Sequence, residues 1–310
     1  MTATHSFRTA SRLGLATTGL MYGLIVIGSI VRTTGSGLSC PDWPLCGGHL
    51  IPPFEPHVMI EWFHRLVALL VSLSLVLTLG WVVSHATVRR RLGGLAGLAL
   101  VLLALQVVLG ALTVWRLLSP AVVGSHLAVA LLLFCSMLAL TLLARGGAAG
   151  QAGAPARGEP AALPVGIAAV AAYGQCLLGG IVSATHAGSA ATDWPTANGQ
   201  WFPPLTGLLG IQVLHRYGAY TLVALVAVAA VAARRASDPR VRRGAWTALG
   251  LVLAQVVLGV LNLVLRTPPW LSALHLAVAV TILAVLFVAT LRAAAPAWLP
   301  AARPGAAVAR

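Results

Sequence analysis

Four histidines stand at matched places in an apolar chain. His64 is followed 151 residues later by His215, and each directly precedes an arginine. His126 and His275 each begin the sequence His-Leu-Ala-Val-Ala. An ionisable residue within a membrane is costly and usually functional, and neutral imidazole is a common metal ligand. The repeated placement therefore predicts a cofactor site. The histidines without a repeat partner are interpreted as loop or helix-end residues: His5, His49, His57, His85 and His186.

The type of donor indicates which metal centre to expect. Zinc and copper sites usually recruit carboxylate or thiolate ligands as well. Two histidines in each half of an apolar bundle are better suited to an iron porphyrin held from both faces. Its propionates need cations at the aqueous edge, and snorkelling to lipid headgroups is the alternative role for such cations. The candidate propionate contacts are Arg65, Arg216, Arg116 and Arg266.

The composition is that of an integral membrane protein. Of the 310 residues, 59% are hydrophobic and only 8% are charged, whereas a soluble domain has about 25% charged residues. The net charge of +14 comes from arginines in short clusters between apolar runs. Because no long basic stretch carries interleaved aromatics, nucleic-acid binding is not expected.

Eight apolar runs are long enough to cross a bilayer as helices, which takes about 20 residues each. The first lacks an obvious cleavage site and is interpreted as a retained span. The arginine clusters fall on alternate connections and at both ends of the chain. They predict a multi-pass protein of the bacterial plasma membrane with both termini in the cytoplasm and the histidines towards the extracytoplasmic side. The predicted spans are 12–32, 62–84, 94–115, 122–143, 163–184, 209–232, 245–265 and 272–292.

An internal repeat divides the chain. Gln-Val-Val-Leu-Gly occurs at 106–110 and again at 255–259, and Asp-Trp-Pro occurs at 42–44 and 193–195. The offsets stay between 149 and 151 residues. The sequence thus predicts an all-α fold of two four-helix bundles, related by a pseudo-two-fold axis along the membrane normal. The predicted units are residues 1–145, a cytoplasmic linker rich in Gly, Ala and Pro at 146–162, and residues 163–310 with a cytoplasmic tail.

Three features of the first half have no counterpart in the second. Glu61 is matched by Gln212, and two alanines occupy the positions that correspond to Cys40 and Cys46. Glu61 precedes His64 by three residues, so the two share a helix face. It could accept a proton or stabilise positive charge, or it could simply favour the N-terminus of its helix. The cysteine spacing leaves a structural disulfide and a redox pair equally open.

These residues resemble a known family, the heme A synthases. The resemblance lies in the Glu-x-x-His-Arg motif, the two His-Leu helices, the outer cysteine pair and the four-plus-four repeat, over about residues 12–295. It implies oxidation of a methyl group of heme O to a formyl group, giving heme A for terminal oxidases. It also implies heme O synthase as an upstream partner. A homo-oligomer is compatible with the sequence.

The resemblance also assigns roles. It implies that His215 and His275 ligate a resident heme b and that His64 and His126 hold the substrate heme. Glu61 corresponds to the family's essential glutamate, and Cys40 and Cys46 to its cysteine pair.

Two other functions compete with this one. A diheme b-type cytochrome that only transfers electrons explains four histidines, but it gives no reason for a carboxylate and two cysteines in one half. A transporter with repeated halves would be expected to have broken helices at mid-membrane.

Overall fold

The computed structural model describes residues 2–148 and 159–294. This part of the chain is almost entirely helical, with two single-turn 3-10 helices at Ala187–Ser189 and Ala233–Arg235. Its eight long helices are α1 Ala3–Thr33, α2 Pro56–Ser84, α3 Ala86–Trp115, α4 Pro120–Ala148, α5 Ala162–Ala184, α6 Gly207–Ala232, α7 Pro239–Val264 and α8 Pro269–Ala293. All eight are long and apolar enough to cross a membrane, so the all-helical, multi-pass prediction is confirmed.

Most helices extend past the apolar runs that predicted them. Four of them start on a proline, whose fixed φ suits the first helical position. A helix start marked by a proline adds no apolar signal, so a hydropathy run begins later than the helix itself. As a consequence, His64 and His215 are each the ninth residue of their helix, and His126 and His275 each the seventh. The histidines therefore lie about two turns inside their helices.

Helices reach into both ends of the segment predicted as a linker. Helix α4 continues to Ala148 and α5 already begins at Ala162, so both ends of the 146–162 segment are helical. Residues 149–158 and the tail after residue 294 lie outside the described residues.

Within each half the helices form a closed ring. Helix α1 packs against α2 and α4, and α3 packs against the same two helices. The second half repeats this order, with α5 and α7 each packed against α6 and α8. The helices that carry histidines are therefore diagonal to each other. We call the end of the bundle where α2, α4, α6 and α8 begin the histidine end.

The two halves meet through α1, α4, α5 and α8. The Tyr22 hydroxyl on α1 donates to the carbonyl oxygen of Ala277 on α8 at 3.0 Å. The Tyr173 hydroxyl on α5 donates to the carbonyl oxygen of Ala128 on α4 at 3.2 Å. Tyr22 and Tyr173 are 151 residues apart, and Ala128 and Ala277 are 149 apart. The halves thus exchange equivalent contacts.

Candidate functional site

The four predicted histidines form two pairs at the histidine end. His215 and His275 have ring centroids 6.5 Å apart. His64 and His126 lie close enough for their rings to interact electrostatically. An iron atom bound to one nitrogen of each ring, at a metal–nitrogen distance of about 2 Å, would separate the centroids by roughly 6 Å. The second pair already has the separation that a two-histidine iron centre requires.

Each histidine ring packs against a glycine of the preceding helix. A Cβ atom on Gly28, Gly110, Gly179 or Gly259 would come within 3.1–3.4 Å of the Cε1 atom of a histidine ring. A larger residue at any of the four would crowd the imidazole and the space beside it. The four glycines thus let each imidazole lie close against the preceding helix, and this common placement is the first observation that fits a repeated cofactor site.

The second observation is that several ring nitrogen atoms have no hydrogen-bond partner. The Nδ1 atoms of His64, His126 and His275 are buried and have no hydrogen-bond partner in the described part of the chain. An unsatisfied buried polar atom costs about 1–3 kcal/mol. Groups of three or more potential His, Cys, Asp or Glu ligands are absent from residues 2–148 and 159–294. This donor set suits a cofactor that supplies its own equatorial ligands, as a porphyrin does.

Glutamine side chains contact three of the histidines. Gln106 Nε2 lies 3.1 Å from the Nε2 atom of His126. Gln175 Nε2 lies 3.0 Å from Nδ1 of His215 and donates to the carbonyl oxygen of the same residue at 2.7 Å. Gln255 donates to the carbonyl oxygen of His275 at 2.8 Å. Two of these glutamines, Gln106 and Gln255, begin the repeated Gln-Val-Val-Leu-Gly sequence. That repeat is the sequence feature from which a role beside the histidines could have been predicted.

Glu61 is buried in a polar network of the first half. Its Oε1 accepts from Arg65 at 2.6 Å, and its Oε2 accepts from the backbone N–H of Cys40 at 2.9 Å. Of the acids in the described residues, only Glu61 is buried. It is the sixth residue of α2, beyond the first turn, so the helix N-terminus does not account for it. The carboxylate is held by a cation and a loop N–H, one turn from His64.

Gln212 takes the same place in the second half. Its Oε1 accepts from the backbone N–H of Ala191 at 3.1 Å and lies 3.4 Å from Arg216. Its amide also donates to the carbonyl oxygen of Gly188 at 2.8 Å, a bond that a carboxylate could not make. The two networks have the same geometry around a charged group in one half and a neutral group in the other.

Cys40 and Cys46 form a disulfide, and both are buried. The disulfide closes the loop whose first N–H binds Glu61. Whether the pair also takes part in redox chemistry stays a prediction. Cys135 and Cys176 are free and pack in the hydrophobic core.

Arg65 and Arg216 bind the loops that precede their helices. Arg65 donates to the carbonyl oxygens of Asp42 at 2.7 Å and Leu45 at 2.5 Å. Arg216 donates to those of Asp193 at 3.0 Å and Thr196 at 2.8 Å. This loop-binding role was not predicted, and contact with propionates stays a prediction for both.

The other two candidate arginines lie at the ends of α3 and α7. Arg116 directly follows α3, is exposed, and lines a cavity of about 530 Å³ together with Leu112, Ser119 and Val122. Arg266 is also exposed, but it lies two residues past the end of α7 in a left-handed backbone conformation.

Two polar contacts at this end were missed by sequence reasoning. Arg32, one turn beyond Gly28, donates to the carbonyl oxygens of Ser183 and Ala184 at the end of α5 and so joins the two halves. The buried Ser36 hydroxyl lies 2.9 Å from Nδ1 of His57. Neither position is shared by the repeat, so self-comparison gave no signal for either.

The sequence matches the model of one protein family over residues 11–59 and 53–287. That family is COX15-CtaA, the cytochrome oxidase assembly proteins. The match covers far more than half of the chain. This chain belongs to the COX15-CtaA heme A synthase family. The resemblance expected from the motifs is thereby confirmed.

Individual relatives agree with this membership. The chain is 34% identical over 259 residues to heme A synthase of Symbiobacterium thermophilum, covering 80% of this chain and 84% of the relative. It is 31% identical over 324 residues to heme A synthase of Methylobacterium sp. strain 4-46, covering 85% and 86%. Heme A synthase of Methylorubrum extorquens strain PA1 is 31% identical over 333 residues, covering 91% and 85%.

Proposed function

We propose that this protein is a membrane-bound oxidoreductase that converts heme O to heme A, as family membership supports. The observation that carries the proposal is the buried carboxylate of Glu61, one turn from His64 and replaced by an amide in the other half. A cytochrome that only transfers electrons would not need this difference between its two sites.

The chain's own residues would bind two hemes. His64 and His126 would hold the iron of the substrate heme, and His215 and His275 that of a resident heme b. The ring spacing of the second pair, the unpaired ring nitrogens and the four glycines support this assignment. Heme, when bound, supplies the redox chemistry. Arg116, exposed beside a cavity, is the best-placed candidate for a propionate contact.

Glu61 would act on protons. Converting a methyl group to a formyl group adds one oxygen atom to the carbon, removes two of its hydrogens and releases four electrons to an acceptor. With oxygen at the oxidation level of water, four protons are released as well, so a proton acceptor within the pocket would assist the reaction. Arg65 and the Cys40 N–H fix the carboxylate in place and leave it further lone pairs for a substrate or a water molecule. Burial excludes bulk water from this carboxylate.

The membrane placement follows the same reasoning. We propose that both termini face the cytoplasm and that the histidine end faces outward, because the arginine clusters lie at the opposite end. The matched tyrosine contacts support a pseudo-two-fold relation between the halves. An outward-facing end is compatible with the disulfide. Heme O synthase is the proposed upstream partner, since its product is this enzyme's substrate.

The test is expression in bacterial cells that make heme O but no heme A, followed by chromatography of the extracted hemes. We expect heme A to appear with the full chain and to be absent with an empty vector. A second culture should express the His126→Ala variant, which keeps the resident pair intact. If heme A is absent from cells containing folded, heme-loaded protein, the protein is not a heme A synthase.

A further inference from the structure

A polar stripe runs along one face of α2 in the first half. Its members are four residues apart and therefore lie one above the other: His57, Glu61 and Arg65. Arg65 and Glu61 are in direct contact at 2.6 Å, so side chains at this spacing do reach each other here. His57 is the second residue of the helix and is exposed, whereas Glu61 is buried. The stripe thus leads from a buried carboxylate to the surface at the histidine end.

One loop covers both His57 and Glu61. The backbone N–H of Cys40 donates to Oε2 of Glu61 at 2.9 Å. Four residues earlier in the same loop, the fully buried Ser36 hydroxyl lies 2.9 Å from Nδ1 of His57. The loop therefore lies against the helix face that carries both side chains, whose Cβ atoms are about 5–6 Å apart at this spacing. A proton can cross such a distance directly or through one water molecule.

The hydrogen bonds of Ser36 determine which nitrogen of His57 is basic. Thr34 donates its only hydroxyl proton to the carbonyl oxygen of Ile30 at 2.7 Å. In the 2.7 Å contact between Thr34 and Ser36, the donor is therefore Ser36. The Ser36 oxygen then accepts from the Nδ1–H group of His57. With its proton on Nδ1, the neutral ring has a lone pair on Nε2, and His57 is held in the tautomer that accepts a proton at that atom.

The second half keeps the scaffold of this region without its proton-carrying groups. Thr185 donates to the carbonyl oxygen of Ile181 at 2.8 Å, as Thr34 does to Ile30. The residues that correspond to Ser36, His57 and Glu61 are Ala187, Leu208 and Gln212. Alanine and leucine side chains have no exchangeable proton, and a neutral amide is not a proton acceptor at ordinary pH. The ability to carry protons is thus confined to the half that contains Glu61.

We propose that His57 is the proton outlet of the first half, which takes each proton from Glu61 and releases it to the water outside. This inference rests on the proposed role of Glu61. The oxidation releases four protons and one buried carboxylate holds only one, so Glu61 must lose its proton between steps. The carboxyl proton passes to Nε2 of His57, which becomes an imidazolium. Loss of that proton to water restores the neutral ring and the ionised carboxylate, and Ser36 is the positioning residue for the ring.

The test measures the rate of heme A formation per bound heme in spheroplasts of heme O-producing bacteria that express the full chain. His57→Ala should still bind two hemes but form heme A more slowly by about tenfold or more. Added imidazole should restore much of this rate, because it can occupy the space of the lost ring and carry the proton. His57→Leu fills that space with the residue of the second half, and should be slow with or without imidazole. A merely structural role of His57 would not respond to imidazole.

Further variants locate the effect. His57→Gln keeps a donor for Ser36 but carries no proton, and should be as slow as His57→Ala. Ser36→Ala should slow the reaction by about twofold to tenfold, the effect of losing one hydrogen bond. His49→Ala removes another exposed histidine of the same loop, and Leu208→Ala changes the matched position in the second half. Both of these controls should form heme A at the wild-type rate. Imidazole should leave the rate of Glu61→Gln unchanged, since no carboxyl group then delivers protons to the outlet.

The outcomes separate this inference from the function beneath it. If the wild type forms no heme A, or if Glu61→Gln forms it at the wild-type rate, the proposed function itself is wrong. If Glu61→Gln is slow but His57→Ala or His57→Gln is as fast as the wild type, only the proton outlet is overturned. The outlet is also overturned if His57→Ala binds two hemes, is slow, and is not accelerated by imidazole.

Discussion

The two loops at the histidine end have the same fold and different chemistry. In each, an arginine of the following helix binds two loop carbonyl oxygens: Arg65 in the first half and Arg216 in the second. Cys46 and His49 form an isolated antiparallel β-bridge in the first loop, and Ala197 and Gln200 form the matching bridge in the second. The second loop adopts this fold with Gln212 in the place of Glu61 and alanines in the places of Cys40 and Cys46, so the loop conformation does not in itself require that carboxylate or the disulfide. This difference supports the proposed role of Glu61 in the reaction, and a redox role of the cysteines stays a prediction.

Removing one histidine should abolish one heme site completely, which is the largest effect. His126→Ala should empty the first half and His275→Ala the second, so each purified variant should bind one heme instead of two. The heme-to-protein ratio measures this directly. Retention of two hemes in either variant would break the assignment of one pair to each half.

Loss of the loop-binding arginine should lower the free energy of unfolding more in the first half than in the second. Arg65→Ala leaves the buried carboxylate of Glu61 without its cation, which costs about 3–5 kcal/mol. Arg216→Ala leaves only neutral partners unpaired, at about 1–3 kcal/mol. Unfolding in mixed detergent micelles compares the two.

A rescue variant serves as control for the arginine prediction. Adding Glu61→Gln to Arg65→Ala should recover much of the lost stability, because the uncompensated charge is removed. Equal losses for the two single variants would show that the ion pair between Arg65 and Glu61 gives the first half no added stability.

The disulfide should contribute less to the free energy of unfolding than the ion pair between Arg65 and Glu61 does. Changing both Cys40 and Cys46 to alanine reproduces the second half's residues, and should lower the free energy of unfolding by about 2 kcal/mol, the value expected for closing so short a loop. A reductant should destabilise the wild type by a similar amount and leave the double variant unchanged. If reductant destabilises the double variant too, the effect does not come from this bond.

Acid should destabilise the two loops that contain Asp42 and Asp193, and this effect, the smallest, should be equal in the two halves. Hydrogen bonds from the backbone N–H groups of Gly48 and Gly47 lower the pKa of Asp42 below its ordinary value of 3.8, and bonds from the Thr196 hydroxyl and the Gly199 N–H lower the pKa of Asp193. A lowered pKa stabilises the loop above 3.8, and this stability is lost as the pH falls through the folded value.

Hydrogen exchange of the two loops measures the acid response. Both should open together in acid, after correction for intrinsic exchange rates. Asp42→Asn and Asp193→Asn should each remove the response in one loop. Opening of one loop well before the other would show that their aspartates are held differently.

The features that could be predicted from the sequence are those that follow from its composition and its internal repeat. Hydropathy predicts the eight helices. Comparison of the two halves identifies the matched histidines and shows that Glu61 has no counterpart in the second half. The structure added what depends on side-chain direction: Arg65 turns to the loop, and Gln175 reaches His215. The helix starts were misplaced because a proline at the start of a helix adds no apolar signal.

The most direct test exchanges the residue that distinguishes the halves. Glu61→Gln should keep two bound hemes, since Gln212 occupies the same network in the second half, and should reduce heme A formation by about 100-fold or more. Gln212→Glu is the matched control and should form heme A at close to the wild-type rate. The measurement is heme A per bound heme in extracts of cells supplied with heme O. Normal heme A formation by Glu61→Gln would contradict the central claim that this carboxylate makes the first half the reacting one.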